Sequence, residues 1–245
     1  MLIGREAERA AIRELLDGAR DGRGGALVVR GEPGVGKSAL LRDAEAQAEG
    51  LQVARTVGVE AESEIAFAAV DQALRPFRRL RDLVPPELSG IEGGEPFDVT
   101  TPQRFAVGLA LLELLADAAE DQPVLLLVDD AQWIDDPSRD AFHFVGRRLA
   151  TEAVALIVAT RDPAEGARTG FRELVLEGLP ERAALDLVAQ LRSGVAAPVA
   201  QTLVRATSGN PLALEETLRS LTDRHLAGAE ALPPLLPLGD SITAA

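Results

Sequence analysis

The sequence predicts an α/β fold: a central parallel sheet flanked by helices, followed by a small helical lid. Three observations predict it. Short apolar, β-branched runs recur at residues 26–30, 53–57, 124–128, 154–160 and 171–176. Helical stretches such as 105–119 and 138–149 separate them, and that alternation argues for parallel strands covered on both faces. From Gly178 onward the apolar period is helical, at 180–191, 199–206 and 211–221, with no further strand signal.

Taken in order, Ile12, Leu15 and Leu16 lie on one face of an opening amphipathic helix, which the run Asp21-Gly22-Arg23-Gly24-Gly25 ends. The glycine-bounded run 26–30 is the first strand, and a helix is under way by Leu40-Leu41. Asp136-Pro137 reads as an N-cap followed by proline at the first helical position, which sets the start of the helix after the third strand. Residues 85–102, rich in Pro, Gly and Thr, form the one long irregular insertion. The tail from Leu232, with prolines at 233, 234 and 237, fits neither regular helix nor central strand. The expected division is a nucleotide-binding domain over 1–177, a lid over 178–228 and a Pro-rich tail or linker over 229–245.

Between the first strand and its helix stands Gly31-Glu32-Pro33-Gly34-Val35-Gly36-Lys37-Ser38, which matches G-x-x-x-x-G-K-[ST]. The spacing has a physical reason. Glycines let successive backbone N–H groups turn toward a phosphate, with Ala39 counted among the binding positions, and the helix that Leu40-Leu41 begins adds its positive N-terminal end. Lys37 reaches the β- and γ-phosphates, and the Ser38 hydroxyl is a Mg²⁺ ligand. The motif makes the fold a P-loop NTPase. A second element, Val124-Leu125-Leu126-Leu127-Val128-Asp129-Asp130, delivers two carboxylates at the carboxyl end of a buried strand, the ligand side of an open parallel sheet. In this Walker B reading Asp129 holds Mg²⁺ and Asp130 orients or deprotonates the attacking water. The strand at 154–160 ends on Thr160-Arg161, where Arg161 is the better candidate for a γ-phosphate sensor.

Composition narrows the partners. The 245 residues include no cysteine, which excludes disulfides, thiolate metal sites and cysteine nucleophiles and fits a reducing cytoplasm. The strand-like apolar runs, such as 124–128, are far too short to span a bilayer, and Met1 to Glu6 lacks a basic region followed by an apolar stretch. A soluble, unexported, cytoplasmic protein is therefore expected. A formal net charge of −14, spread along the chain, repels nucleic acid. Lys37 is the only lysine among 25 lysines and arginines, which points to a need for a compact ammonium at that position. It also leaves no lysine for the [NT]-K-x-D element of guanine readers, so adenine is the expected base. His143 and His225 lack metal-ligand spacing and read as structural or surface residues.

With these motifs placed, nearly all of the chain resembles the nucleotide-binding module of the signal-transduction ATPases with numerous domains, and most closely the large ATP-binding regulators of the LuxR family. The pieces are Ile3-Gly4-Arg5-Glu6, residues 31–38, Gly58-Val59-Glu60-Ala61-Glu62, Asp129-Asp130-Ala131-Gln132-Trp133, Ala159-Thr160-Arg161-Asp162 and Gly209-Asn210-Pro211-Leu212-Ala213-Leu214. The resemblance implies that Ile3, Gly4 and Arg5 line the adenine, that Arg161 is the first sensor, and that Pro211 touches base or ribose. It implies Mg²⁺ with ATP or ADP, nucleotide-dependent self-association, and slow hydrolysis that resets a switch. DNA is reached in that family through a C-terminal helix-turn-helix, which this chain lacks. Two rivals stay open: a remodelling AAA+-type ATPase with sustained turnover, and a stand-alone, non-catalytic nucleotide-binding module.

Overall fold

The computed structural model describes residues 2–77 and 101–233. Its sheet has five strands: β1 (Gly25–Gly31), β2 (Gln52–Val57), β3 (Val124–Asp129), β4 (Val154–Thr160) and β5 (Arg172–Leu176). Their order is β2-β3-β4-β1-β5. The pairs β2/β3, β3/β4 and β4/β1 are parallel, with Val57 opposite Asp129, Val128 opposite Val158 and Arg30 opposite Thr160. The carboxyl ends of β1, β3 and β4 therefore emerge at one edge, where ligands of such sheets bind. The expected α/β parallel-sheet fold is what forms.

The described residues divide into two compact units. One holds residues 8–30 and 41–174, and the other holds 2–7, 31–40 and 175–233. In the first, β3 and β4 are buried along their whole length. That burial is why both read as unbroken apolar runs rather than alternating ones. Helix α1 (Glu6–Arg20) presents Ile12 and Leu16 to the interior. Helices α3 (Ala68–Leu74), α4 (Thr101–Asp121) and α5 (Asp136–Gly146) add Val70, Leu111, Leu114 and Phe142 to the sheet's main core. Of the sequence's irregular insertion, residues 85–100 lie outside the described residues, and Thr101 already begins α4.

The cap of α5 differs from expectation. Asp135, not Asp136, is the N-cap, and its Oδ1 accepts from Ser138 N at 2.8 Å. The reason is tertiary: the same buried carboxylate accepts from Phe67 N at 2.7 Å and Ala69 N at 3.3 Å. One side chain thus fastens two helix starts at once. It also holds Phe67 at a left-handed φ of 62° while its ring is fully buried. Asp136 is exposed and pairs with Arg139.

In the second unit α2 (Lys37–Gln47) begins at the end of the glycine-rich loop, so its first turn contains Ser38 and Ala39. Helices α7 (Glu181–Leu191), α8 (Ala197–Ala206) and α9 (Pro211–Ser220) close their own apolar core around Ala184, Val188, Leu203 and Leu214, with Ile3 packed against it. A one-turn helix, Asp223–Leu226, follows on a Thr222–His225 capping box. Four residues are too few to show a helical period, so sequence patterning passes it over. The short helix Glu165–Thr169 is α6. Of the Pro-rich tail, residues 234–245 lie outside the described residues. No helix among the described residues is long and apolar enough to cross a membrane.

Candidate functional site

In the second unit, the loop from Gly31 to Lys37 is ordered by its glycines and by donors to its carbonyls. Gly34 and Gly36 adopt φ of +74° and +108°, a region that residues with a Cβ avoid. Five consecutive carbonyls, 31 to 35, each have a donor. Lys37 Nζ donates to Gly31 O at 2.7 Å and to Glu32 O at 3.0 Å. Asn210 Nδ2 donates to Pro33 O at 2.9 Å, Leu212 N to Gly34 O at 3.3 Å, and Arg5 Nη2 to Val35 O at 3.0 Å. These bonds order the loop around its glycines, and turns of this kind, with successive backbone N–H groups on one side, can hold an anion. A Cβ at Gly34 would stand 2.6 Å from Leu212 Cβ, so that glycine is required by close packing as well as by its φ.

The expected base contacts resolve into distinct positions. Arg5 is buried, and its guanidinium also donates to Glu177 O at 2.6 Å, so it braces the loop. Gly4 has φ +65°, and a Cβ there would stand 2.3 Å from Ala183 Cβ, which fastens the N-terminal segment to α7. Pro211 occupies the first turn of α9 behind Asn210, whose Oδ1 caps the helix by accepting from Leu212 N and Ala213 N at 3.1 and 3.2 Å. A cavity of about 370 Å³ opens beside the loop, lined by Pro33, Val35, Leu176, Glu177, Ser208 and Asn210 among others. Its volume lies within the range of small-molecule sites. Ile3, Gly4, Arg5 and Pro211 are not among its lining residues.

The first unit carries the carboxylates. Asp129, at the end of β3, is 2% exposed. Such a buried charge needs compensation. Arg55 Nη2, from the neighbouring strand β2, donates to Asp129 Oδ2 at 3.0 Å, and Asp130 N donates to Oδ1 at 3.1 Å. Asp130 is half-buried and turns the chain with φ 48° and ψ 47°. A Cβ on Gly58 would stand 2.3 Å from Asp130 O, so that glycine is set by the close approach of β2's end to this turn. Half-buried Trp133 lies in the 3₁₀ turn that follows. Arg161 follows β4, and its exposed side chain makes no hydrogen bond or ion pair with the described residues. Sequence patterning missed Arg55, and no signal marks it, since one arginine inside a strand has many structural uses. It also assigned no role to Gln132, although that residue stands in the quoted Asp129–Trp133 element.

Just beyond Arg161 lies a buried polar network. His143 Nε2 is 2.6 Å from Glu165 Oε1, Arg168 donates to Glu165 Oε2 at 2.7 Å, and Arg168 also pairs with Asp162. His143 is therefore a structural residue, as its spacing suggests. Burial pushes the Glu165 carboxyl up, but hydrogen bonds from His143 and Arg168 outweigh it and hold it below the ordinary value. The backbone hydrogen bond from Ala164 lowers Asp162 as well, opposed by partial burial and helped by Arg168. Both carboxylates then contribute stability that is complete above the ordinary carboxylate range and is lost as pH falls through the depressed folded values. Glu165→Gln is expected to lower stability near pH 7 by about 2 kcal/mol and to flatten the acid limb of the melting-temperature profile below about pH 4.5. Circular-dichroism melts between pH 3 and 8 read both effects, and an unchanged acid limb refutes the assignment.

Among the described residues no cluster of three or more histidines and carboxylates stands ready to hold a metal ion. Mg²⁺ arriving with a polyphosphate needs only one or two protein oxygens, and the Ser38 hydroxyl in one unit and the Asp129 carboxylate in the other are each oxygens of that kind.

Comparison with known proteins agrees with the fold. The AAA ATPase domain family matches residues 1–159. An uncharacterised protein of Rhizobium meliloti is 26% identical, over 65% of this chain and 18% of its own length, so the chain spans less than a fifth of that relative. Among solved structures, a signal transduction ATPase with numerous domains and a tetratricopeptide repeat sensor, from Pyrococcus horikoshii, matches with a TM-score of 0.60 at 19% identity, covering 90% of this chain and 30% of that one. Cdc6p from Pyrobaculum aerophilum matches with a TM-score of 0.60 at 16% identity, over 89% of this chain and 61% of that one. The origin recognition complex of Drosophila, bound to DNA, has a chain matching with a TM-score of 0.56 at 16% identity, over 94% and 58%. These likenesses are of fold. Since the family match covers well over half of its residues, the chain belongs to the AAA ATPase domain family.

Proposed function

We propose that this domain binds Mg²⁺-ATP and hydrolyses it slowly, serving as the nucleotide switch of a signal-responsive regulator of the LuxR type. The observation that supports the reading is the loop itself: carbonyls 31 to 35 each meet a donor, and Gly34 and Gly36 hold positive φ directly ahead of Lys37 and Ser38. Lys37 and the loop amides bind the β- and γ-phosphates. Ser38 and Asp129 would hold Mg²⁺, which would neutralise phosphate charge. Asp130 accepts a proton from water as its oxygen bonds to the γ-phosphorus. The bond to the bridging oxygen breaks, its electron pair leaves with ADP, and phosphate is released. Arg161, exposed beside the Asp130 turn, senses the γ-phosphate. The base lies toward Ile3, Gly4 and Pro211, with Arg5 bracing the loop.

The switch reading, in preference to sustained turnover, is supported by the resemblance to signal-transduction ATPases and by the match to one with a sensor array. Output belongs to the larger protein: ATP favours self-association, ADP reverses it, and DNA is contacted through a helix-turn-helix outside this chain. Calorimetric titration with ATP and ADP, phosphate release and sedimentation with each nucleotide test the reading together. Expected are Mg²⁺-dependent ATP binding, turnover near or below one per minute, and a larger species with ATP than with ADP. Failure to bind either nucleotide refutes it, and fast turnover unaffected by assembly refutes the switch.

A further inference from the structure

Gln132 spans two groups that the proposed reaction uses. Its Nε2 donates to Asp130 Oδ1 at 2.8 Å, and its Oε1 accepts from Arg161 N at 3.1 Å. A carboxamide is suited to this task because it donates from one end and accepts at the other, so each bond fixes the orientation that the other requires. The backbone supplies the reach. Asp130 in the left-handed region folds the chain into the 3₁₀ turn Ala131–Trp133, closed by Trp133 N donating to Asp130 O at 2.9 Å, and this brings the side chain two residues on back over the carboxylate. That conformation is unfavourable for a non-glycine residue and persists where the surroundings over-determine it. With Oδ1 engaged, Asp130 Oδ2 makes no hydrogen bond with the described residues and is the oxygen available to water.

We infer that Gln132 is a positioning residue for hydrolysis, holding the Asp130 carboxylate in the orientation that accepts the water proton and tying that orientation to the backbone of Arg161 at the end of β4. The inference rests on the proposed ATPase reading. Gln132 touches neither nucleotide nor metal in this role, and it acts through Asp130. Removing it should leave ATP affinity intact and slow only the chemical step.

The test is a double-mutant cycle on the full chain, reading single-turnover phosphate release, ATP affinity and melting temperature. Gln132→Ala is expected to slow release roughly 30-fold with ATP affinity within about twofold of wild type. In an Asp130→Asn background the same substitution is expected to cost nothing further, because the group it positions is already disabled. Gln132→Glu keeps an acceptor for Arg161 N but cannot donate to Asp130. It is expected to be as slow as the alanine variant at a wild-type melting temperature, which a merely structural role would not produce. Wild-type rates in either single variant, or equal losses in both backgrounds, overturn the inference while leaving the ATPase reading standing. Absence of Mg²⁺-dependent phosphate release from the wild-type chain overturns both.

Discussion

Lys37→Ala is expected to raise the dissociation constant for ATP about a hundredfold and to abolish the thermal stabilisation that ATP gives. Lys37 is 6% exposed and its ammonium rests on Gly31 O and Glu32 O, inside the loop that would carry the polyphosphate. A charge-assisted bond from a largely buried ammonium to phosphate contributes about 3 kcal/mol, which corresponds to roughly two decades in affinity. Loss of binding through unfolding is distinguished by the melting temperature without nucleotide, measured on the same variant. Lys37→Arg is expected to be nearly as defective. A planar guanidinium has a different shape and donor geometry from the compact ammonium that this chain, otherwise entirely arginine in its strong bases, retains here. Calorimetric titration of all three proteins decides it, and wild-type affinity in the alanine variant would remove the loop from the phosphate site.

Asp130→Asn is expected to reduce phosphate release 10²- to 10³-fold while ATP still binds, as expected for loss of a carboxylate that accepts the water proton. The amide keeps the size of the side chain, an oxygen for the Gln132 bond and the backbone turn, so folding should be preserved. The protein should then persist in its ATP-bound state, and sedimentation with ATP should show the larger species without decay. Such a locked state separates a hydrolysing switch from a module that uses nucleotide only as a structural ligand, because the latter would show no difference between Asn and Asp. Asp129→Asn should differ in kind. It removes the nearer of Arg55's two carboxylate partners, leaving Glu45 at 3.8 Å, and weakens Mg²⁺-dependent binding as well as turnover.

Legibility in the sequence followed the range of the interactions. The five strands could be read because β3 and β4 are buried throughout and the others are bounded by glycine or by turns, both local properties of the chain. Residues 31–38 could be read because an anion cradle needs glycines at φ that other residues avoid, and this imposes a contiguous spacing. The cap at Asp135 rather than Asp136 could not, because two of its acceptor contacts come from Phe67 and Ala69, more than 60 residues away. Arg5 is a similar case: its position near the loop follows from the N-terminal motif, but its bonds to Val35 O and Glu177 O follow from packing.

By itself, then, the sequence determined the parallel α/β architecture, the phosphate loop with its single lysine, and the paired carboxylates at a strand end, since each is encoded by neighbouring residues under local steric and polar constraints. Tertiary structure alone decided which donors meet the loop's carbonyls, that Arg55 compensates Asp129, and that Gln132 joins Asp130 to the end of β4. Those choices depend largely on groups from separate segments meeting at distances of 2.7 to 3.3 Å. No periodicity or spacing along a single chain segment specifies which distant partner arrives.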